Sequence, residues 1–306
     1  SVAVGAFALR DQNFTTATNS HNTAVGYNAG GDVTTGIQNT LIGGLAGDAL
    51  TDADYNVAVG YLALTADTLG SRSVGVGYGV FQNQNFTTAT NCYNTGLGHN
   101  AGASVTTAIQ NTLIGGLAGD SILAGSDNVA VGYTALGTET GGQNNVAIGR
   151  SALALQVNSS GNIYNTAVGS QAGASITTGV GNTIIGGLAG DEIIGGDNNV
   201  CLGYAAGDVL TSGNRNIIIG AAADAAGSAN NNAICMGYNI TASSNDFSFG
   251  KASNVVTNDF DTDANWSRSS DQRLKKNIAD STLGLSFINA LRPVKYNWKP
   301  SHELDS

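Results

Sequence analysis

The chain has 306 residues, a formal net charge of −10 and 11% charged residues, with 43 glycines and two prolines. It lacks the high charge of disordered segments and the proline-rich three-residue period of collagen, so we expect a folded protein of another class. No apolar run reaches the ~18 residues of a membrane helix, and an acidic chain offers no basic face to nucleic acid. We therefore expect neither membrane insertion nor nucleic-acid binding.

A short unit recurs along most of the chain. It reads asparagine, Thr or Val, a variable residue, an aliphatic residue and glycine, with alanine three residues later. The repeat glycines are Gly5, Gly26, Gly43, Gly60, Gly77, Gly98, Gly115, Gly132, Gly149, Gly169, Gly186, Gly203, Gly220 and Gly237. All but three intervals are 17 residues, which is too short for the ~33 residues of a helix-pair repeat. The spacing predicts an all-β fold, a parallel β-solenoid (β-roll) of about fourteen 17-residue rungs.

The rungs are grouped in fours. The longer intervals, of 21, 21 and 20 residues, begin near Ser1, Ser73 and Asn145, so residues 1–72, 73–144 and 145–215 are three copies of one block. The segment 39–48, for example, recurs without change at 111–120. We predict that residues 1–250 form a fibre shaft of these blocks plus terminal rungs. Because the sequence begins in mid-pattern, we expect it to be a fragment of a longer fibre.

Each repeat strand predicts two apolar faces. The position before the glycine is always aliphatic, as at Val25 and Ile42, which predicts a core column. The preceding position, as at Ala24 and Leu41, also lacks the Lys or Glu of a solvent-facing column. One face should therefore line the coil and the other should contact a partner, which predicts an oligomer.

The glycines fit a positive φ or a close backbone approach, and the asparagines fit either turns or a stacked amide ladder.

The composition changes after residue 250. Residues 251–306 hold eight of the twelve basic residues, both prolines and both tryptophans. We predict a linker over 251–269 and a short α+β module over 270–306. In that module Asp280 and Ser281 would cap a helix that ends at Pro293, and residues 294–298 alternate like a strand.

The shaft resembles a known repeat family. The segments Asn22-Thr23-Ala24-Val25-Gly26-Tyr27 and Asn56-Val57-Ala58-Val59-Gly60-Tyr61 resemble head repeats of trimeric autotransporter adhesins. They are closer still to the repeat arrays of phage tail fibres. That resemblance implies a homotrimer of left-handed parallel β-rolls.

A second resemblance lies at the other end of the chain. The run Ser270-Asp271-Gln272-Arg273-Leu274-Lys275 is similar to the start of an endosialidase-type intramolecular chaperone domain. Such a domain trimerises a β-structured fibre and then cuts itself off, which would make Ser270 the nucleophile and Lys275 the general base. A desolvated lysine has a lowered pKa and can deprotonate a hydroxyl. From the residues alone, Ser270 could equally cap a helix beside a solvated pair, Lys275 and Lys276.

The long rungs hold the candidate ligand contacts. Their extra residues, in segments 10–21, 82–93 and 153–164, should bulge from the shaft at every fourth rung. Asn, Gln and Thr around one aromatic residue suit carbohydrate, so Phe14, Asn19, Phe86 and Asn91 are the candidates. The alternative is a loop that packs at the seam between chains.

Other sites are not favoured by the sequence. Asp48, Asp52 and Asp54 fit turns better than a cation or catalytic site, and we expect no metal and no cofactor. Cys92, Cys201 and Cys235 lack metal-ligand spacing and should be small apolar fillers rather than disulfide partners.

These features predict a structural and host-attachment segment of a phage tail fibre or spike, located on the virion and outside cells. Its partners would be two copies of itself, a host cell-surface glycan or protein, and other tail proteins. Turnover catalysis is not expected, although a single self-cleavage at Ser270 is. A bacterial trimeric surface adhesin is the main alternative, and a polysaccharide-degrading tailspike is the enzymatic one.

Overall fold

The computed structural model describes residues 1–262. Within them every regular element is a strand, and sixteen strands form one long sheet, fifteen of them in parallel pairing. This confirms the predicted parallel β-solenoid. The chain divides into two compact units, residues 1–264 and 265–306. The predicted α+β module lies outside the described residues.

The main sheet contains one strand from each of fifteen rungs and one further strand, Asn254–Asp259. Its strands are β1 (Val2–Val4), β2 (Thr23–Val25), β3 (Thr40–Ile42), β4 (Val57–Val59), β6 (Val74–Val76), β8 (Thr95–Leu97), β9 (Thr112–Ile114), β10 (Val129–Val131), β12 (Val146–Ile148), β14 (Thr166–Val168), β15 (Thr183–Ile185), β16 (Val200–Leu202), β17 (Ile217–Ile219), β19 (Ile234–Tyr238), β21 (Asp246–Lys251) and β22 (Asn254–Asp259). Three small parallel pairs lie apart from it: β5 (Gly70–Ser71) with β7 (Thr90–Asn91), β11 (Gly142–Gln143) with β13 (Gly161–Asn162), and β18 (Asp224–Ala225) with β20 (Thr241–Ala242).

The end of the solenoid differs in one respect from the prediction. A fifteenth rung follows the predicted fourteen, because Phe249 and Gly250 pair in register with Met236 and Gly237. This rung is only 13 residues long, which is why the 17-residue spacing did not reveal it. β22 then pairs antiparallel to β21, so the segment predicted as a linker begins with a strand.

A buried asparagine ladder joins the rungs. The Oδ1 atom of Asn22 accepts a hydrogen bond from the backbone N of Asn39 at 2.8 Å, and its Nδ2 donates to the carbonyl oxygen of Gly36 at 2.7 Å. Asn39 makes the same two contacts one rung further on, with Asn56 and Ala53. The asparagine column therefore forms the stacked amide ladder, which was one of its two predicted roles.

The repeat glycines are required by both conformation and space. Gly43 has a φ of 134°, and a Cβ atom on it would lie 2.5 Å from the carbonyl oxygen of Gly60 in the next rung. Only glycine tolerates that backbone and that approach. The column therefore sets the tight corner after each strand.

The prediction of which strand position lines the core was wrong. The middle residues, such as Ala24, Leu41 and Ile184, are fully buried, whereas the residues before the glycine are partly or largely exposed. The coil is narrow, so its inward column must accept small residues. The uniformly aliphatic column points outward instead.

Side-chain sizes alternate across the narrow core. Where the middle strand residue is large, as at Leu41, the residue four positions after the repeat glycine is Gly47, whose added Cβ would lie 2.8 Å from Leu41 Cδ2. Where the middle residue is Gly75 or Gly96, the facing residue is the fully buried Phe81. A large side chain thus fills the space left by a glycine in its own rung or in the next one, as Phe81 does for both Gly96 and Gly102.

Candidate functional sites

The long rungs do widen one corner of the solenoid. Residues 15–19, 87–89 and 159–162 are all exposed there. The second and third inserts are each anchored on the preceding rung, since β7 pairs with β5 and β13 pairs with β11. The three inserts lie four rungs apart, roughly 19 Å at the usual strand spacing.

The four predicted ligand contacts differ in exposure. Asn19 and Asn91 are exposed and Phe14 is half-buried, but Phe86 is only 7% exposed. The backbone of Phe86 is also fixed, because its N donates to Asp67 Oδ1 at 3.0 Å and its carbonyl accepts from Leu69. Phe86 therefore anchors its insert in the single chain, while ligand contact by the other three residues stays a prediction.

A buried polar relay supports the second insert, and the sequence analysis missed it. Asp67, Gln84 and Asn94 are all fully buried. Gln84 Nε2 donates to Asp67 Oδ2 at 2.5 Å, and Gln84 Oε1 accepts from Asn94 Nδ2 at 2.9 Å. Burial raises the pKa of Asp67, and the hydrogen bonds from Gln84, Phe86 and Gly70 oppose that shift. The relay ties the long rung to the rungs on both sides.

The same relay recurs at the third insert. Gln156 Nε2 donates to Glu139 Oε2 at 2.7 Å, and Asn165 Nδ2 donates to Gln156 Oε1 at 2.8 Å. Gln12 occupies the equivalent position in the first long rung, and its buried Nε2 has no hydrogen-bond partner among residues 1–262. Polar residues seven positions after the repeat glycine, where most other rungs have Val, Leu or Ile, were the available sequence signal, and Asp67 and Glu139 lie in the same column one rung earlier than Gln84 and Gln156.

An outer apolar stripe runs along the main sheet. We define it as the exposed residues that precede repeat glycines: Val4, Ile42, Leu97, Ile148, Ile185, Leu202 and Met236, which are 38–56% exposed. Tyrosines continue it just beyond the glycines, and Tyr78 stacks between Tyr61 and His99 with ring centroids 5.8 and 5.0 Å away. A continuous apolar face of this kind marks an interaction surface.

The acidic residues of the third rung make local bonds. Asp54 Oδ1 accepts from the backbone N of Ile37 at 2.8 Å, and Asp52 Oδ1 accepts from Thr35 Oγ1 at 2.6 Å. Asp48 accepts from Thr65 Oγ1 at 2.5 Å. Within residues 1–262 no group of three or more His, Cys, Asp or Glu side chains is placed to hold a metal ion.

The three cysteines are free and buried. Burial raises the pKa of Cys92 and of Cys201 to about 12, so both thiols stay protonated and unreactive at neutral pH. Cys201 and Cys235 lie two rungs apart in one column, with Ile218 between them.

The predicted catalytic pair, Ser270 and Lys275, lies outside the described residues. The comparison with known families places a match there. Residues 270–306 match the family model described as chaperone of endosialidase, and the match begins at Ser270. No curated protein and no solved structure matches the chain. Within the described part, no helix is long and apolar enough to span a membrane.

A β-solenoid followed by an endosialidase-type chaperone segment fits a tail-fibre-like protein. The match covers the last 37 residues, from 270 to 306, and leaves the 15 rungs to be interpreted from their own geometry.

Proposed function

We propose that the chain is a segment of a homotrimeric phage tail fibre or spike, exposed on the virion, that attaches the particle to a host surface. The outer apolar stripe carries this proposal. A chain with only 11% charged residues that leaves an aliphatic column open along its whole sheet needs an apolar partner of equal length. Further copies of the same chain provide one with matching periodicity.

The chaperone match supports the same assembly. The matched family is described as a chaperone of endosialidase, and a chaperone that trimerises its own fibre would align three chains rung by rung. Because the rungs repeat every 17 residues, chains can associate in the wrong register, so assistance during assembly has a physical reason.

Native mass tests the assembly. We expect the chain, of 30.8 kDa, to migrate in solution at three times that mass. A native mass of one chain would contradict the homotrimer, and a mass of two chains would contradict the trimer while keeping the stripe as an interface.

Self-cleavage is the second part of the proposal. Ser270 Oγ would attack the carbonyl carbon of Ser269 while Lys275 accepts its proton and passes it to the leaving amine of Ser270. Water would then hydrolyse the ester so formed, which gives residues 1–269 a new carboxyl terminus and releases a segment that begins at Ser270. We expect the wild-type chain to give a fragment of residues 1–269 on a denaturing gel, whereas Ser270→Ala and Lys275→Ala stay at full length. Lys276→Arg is the matched control and should cleave normally. A wild type that remains intact, or a Ser270→Ala variant that is cut, would show that the pair has no such role.

A further inference from the structure

Each insert ends in the same three-residue motif. The motifs are Asn19-Ser20-His21, Asn91-Cys92-Tyr93 and Asn162-Ile163-Tyr164. In each, the first and third residues are exposed and the middle one is buried, at 7%, 0% and 5% exposure. The motif therefore presents an amide and an aromatic ring together at three places along the solenoid.

A bulge creates this arrangement. Asn91 pairs with Ser71 of the preceding rung, and Tyr93 occupies the position equivalent to Arg72, so Cys92 is an extra residue between them. Its side chain turns into the core. The left-handed φ values of Tyr93 and Tyr164, 52° and 58°, are shared by the equivalent residues of rungs without an insert, such as Gln38 at 57°. The backbone turn is therefore common to all rungs, and the bulge adds the buried middle residue that separates the exposed amide from the exposed ring.

The aromatic residue is specific to the inserts. Fourteen residues occupy the position directly before the ladder: His21, Gln38, Tyr55, Arg72, Tyr93, Gln110, Asp127, Asn144, Tyr164, Gly181, Asn198, Arg215, Asn232 and Asn245. All three that follow an insert are aromatic, whereas Tyr55 is the single aromatic residue among the other eleven. The ring of Tyr55 is covered by the Arg72 guanidinium, 4.5 Å from its centroid.

In the second and third motifs, in contrast, the tyrosine rings are exposed and hydrogen bonds orient the asparagine amides. Tyr93 and Tyr164 are 55% and 59% exposed and make no ring contact with residues 1–262. Asn91 Oδ1 accepts from Arg72 Nε at 2.9 Å, and Asn162 Oδ1 accepts from Asn144 Nδ2 at 2.8 Å. Each bond fixes the amide plane and leaves the Nδ2 donor without a partner among the described residues.

We infer that the three Asn-x-aromatic motifs are subsites for the neutral sugar rings of a host polysaccharide, and that the second and third, which have a tyrosine and a fixed amide, are equivalent. The tyrosine face receives the apolar face of a pyranose, and the fixed Asn Nδ2 donates to a ring hydroxyl. Arg72 is present at one copy only, so the shared chemistry is neutral, and the acidic chain disfavours a polyanion.

The spacing favours a long ligand over a single sugar. Subsites roughly 19 Å apart are too distant to contact one ring, but a polysaccharide strand can engage several of them and gain avidity. The inference rests on the proposed host-attachment function and adds to it the ligand class and the contacting residues.

A double variant tests the subsites on an array of purified neutral bacterial polysaccharides. Tyr93→Ala with Tyr164→Ala should weaken the binding of the wild-type ligand by roughly tenfold or more. Leu123→Ala with Ile194→Ala is the matched control, because these side chains are 46% and 50% exposed but lie outside both the motifs and the outer apolar stripe. Asn91→Asp with Asn162→Asp, which removes the amide donors and keeps the rings, should also weaken binding.

The outcomes separate this inference from the function on which it rests. Equal binding by wild type and by the Tyr93/Tyr164 variant would overturn the subsites and leave host attachment standing. A wild type that binds no polysaccharide on the array would contradict glycan attachment itself, and the subsites with it. A changed native mass in the Tyr93/Tyr164 variant would assign these rings to the seam between chains and overturn the inference.

Discussion

The burial of Asp224 links the stability of the fold to pH. It is 5% exposed, and its carboxylate accepts hydrogen bonds from the backbone N of Val209 at 2.9 Å and of Ala225 at 2.7 Å. Desolvation, with the neighbouring Asp208 adding to it, raises the pKa of Asp224 from 3.8 to about 8. The folded chain therefore holds a proton that the unfolded chain has lost.

This raised pKa fixes the sign of a pH dependence. Between about pH 4 and pH 8 the folded state binds the extra proton, so the stability that it contributes is complete below pH 4 and is lost as the pH rises through 8. We expect Asp224→Asn to flatten the fall in melting temperature over this range, and Asp127→Asn, at an exposed position, to leave it unchanged. Parallel slopes for wild type and Asp224→Asn would contradict the prediction.

At the scale of the element, the inward column of the strands is limited by space. Gly96 lies in β8, where an added Cβ would be 2.5 Å from Val80 Cγ1 and 2.7 Å from Phe81 Cε2. Gly96→Ala should therefore lower the free energy of unfolding by about 1–3 kcal/mol through overpacking. Urea denaturation measures this loss.

A second glycine provides the control for that substitution. At Gly187 the nearest atom to an added Cβ is Tyr204 Cδ2 at 3.8 Å, so Gly187→Ala meets ordinary contacts and should be neutral or slightly stabilising. If Gly96→Ala matches Gly187→Ala in stability, the core has room that the distances exclude.

The rung period, the blocks and the glycine corners could be predicted because each repeats a local requirement at a fixed interval. Which strand column faces the core could not be predicted, because both columns are apolar. Only the narrow width of the coil decides which one lies inside. The relay of Asp67 and Gln84 was missed for a different reason. Asp67 and Gln84 occupy the same column of consecutive rungs, and their hydrogen bond across 17 residues is recognised only once the rungs are stacked.

The side-chain directions in the inserts could not be predicted from the sequence either. Phe86 looked like a surface aromatic because it lies in a polar segment, yet its ring packs under the insert and Tyr93, seven residues on, is the exposed one. An aromatic residue in an insert carries no sign of its direction until the bulge at Cys92 is known. Ligand contact by residues of these segments stays a prediction.

At the scale of the whole molecule, two faces of one rung test whether the outer apolar stripe joins chains. Ile185 belongs to the stripe and is 38% exposed, whereas Ile194, nine residues later in the same rung, lies outside it and is 50% exposed. In the single chain a lysine is tolerated at either position. In a homotrimer closed along the stripe, a lysine at 185 would be buried three times without a partner charge.

Ile185→Lys should therefore shift the native mass from three chains towards one, and Ile194→Lys should leave it at three. Both variants should retain the circular dichroism of the wild type, because neither side chain contributes to the buried core. Fifteen rungs would give each chain many contacts with its partners along the stripe. The double variant Ile185→Lys with Leu202→Lys should therefore dissociate further than either single variant and have the native mass of one chain. Trimers that survive the double substitution would place the interface on another face of the solenoid.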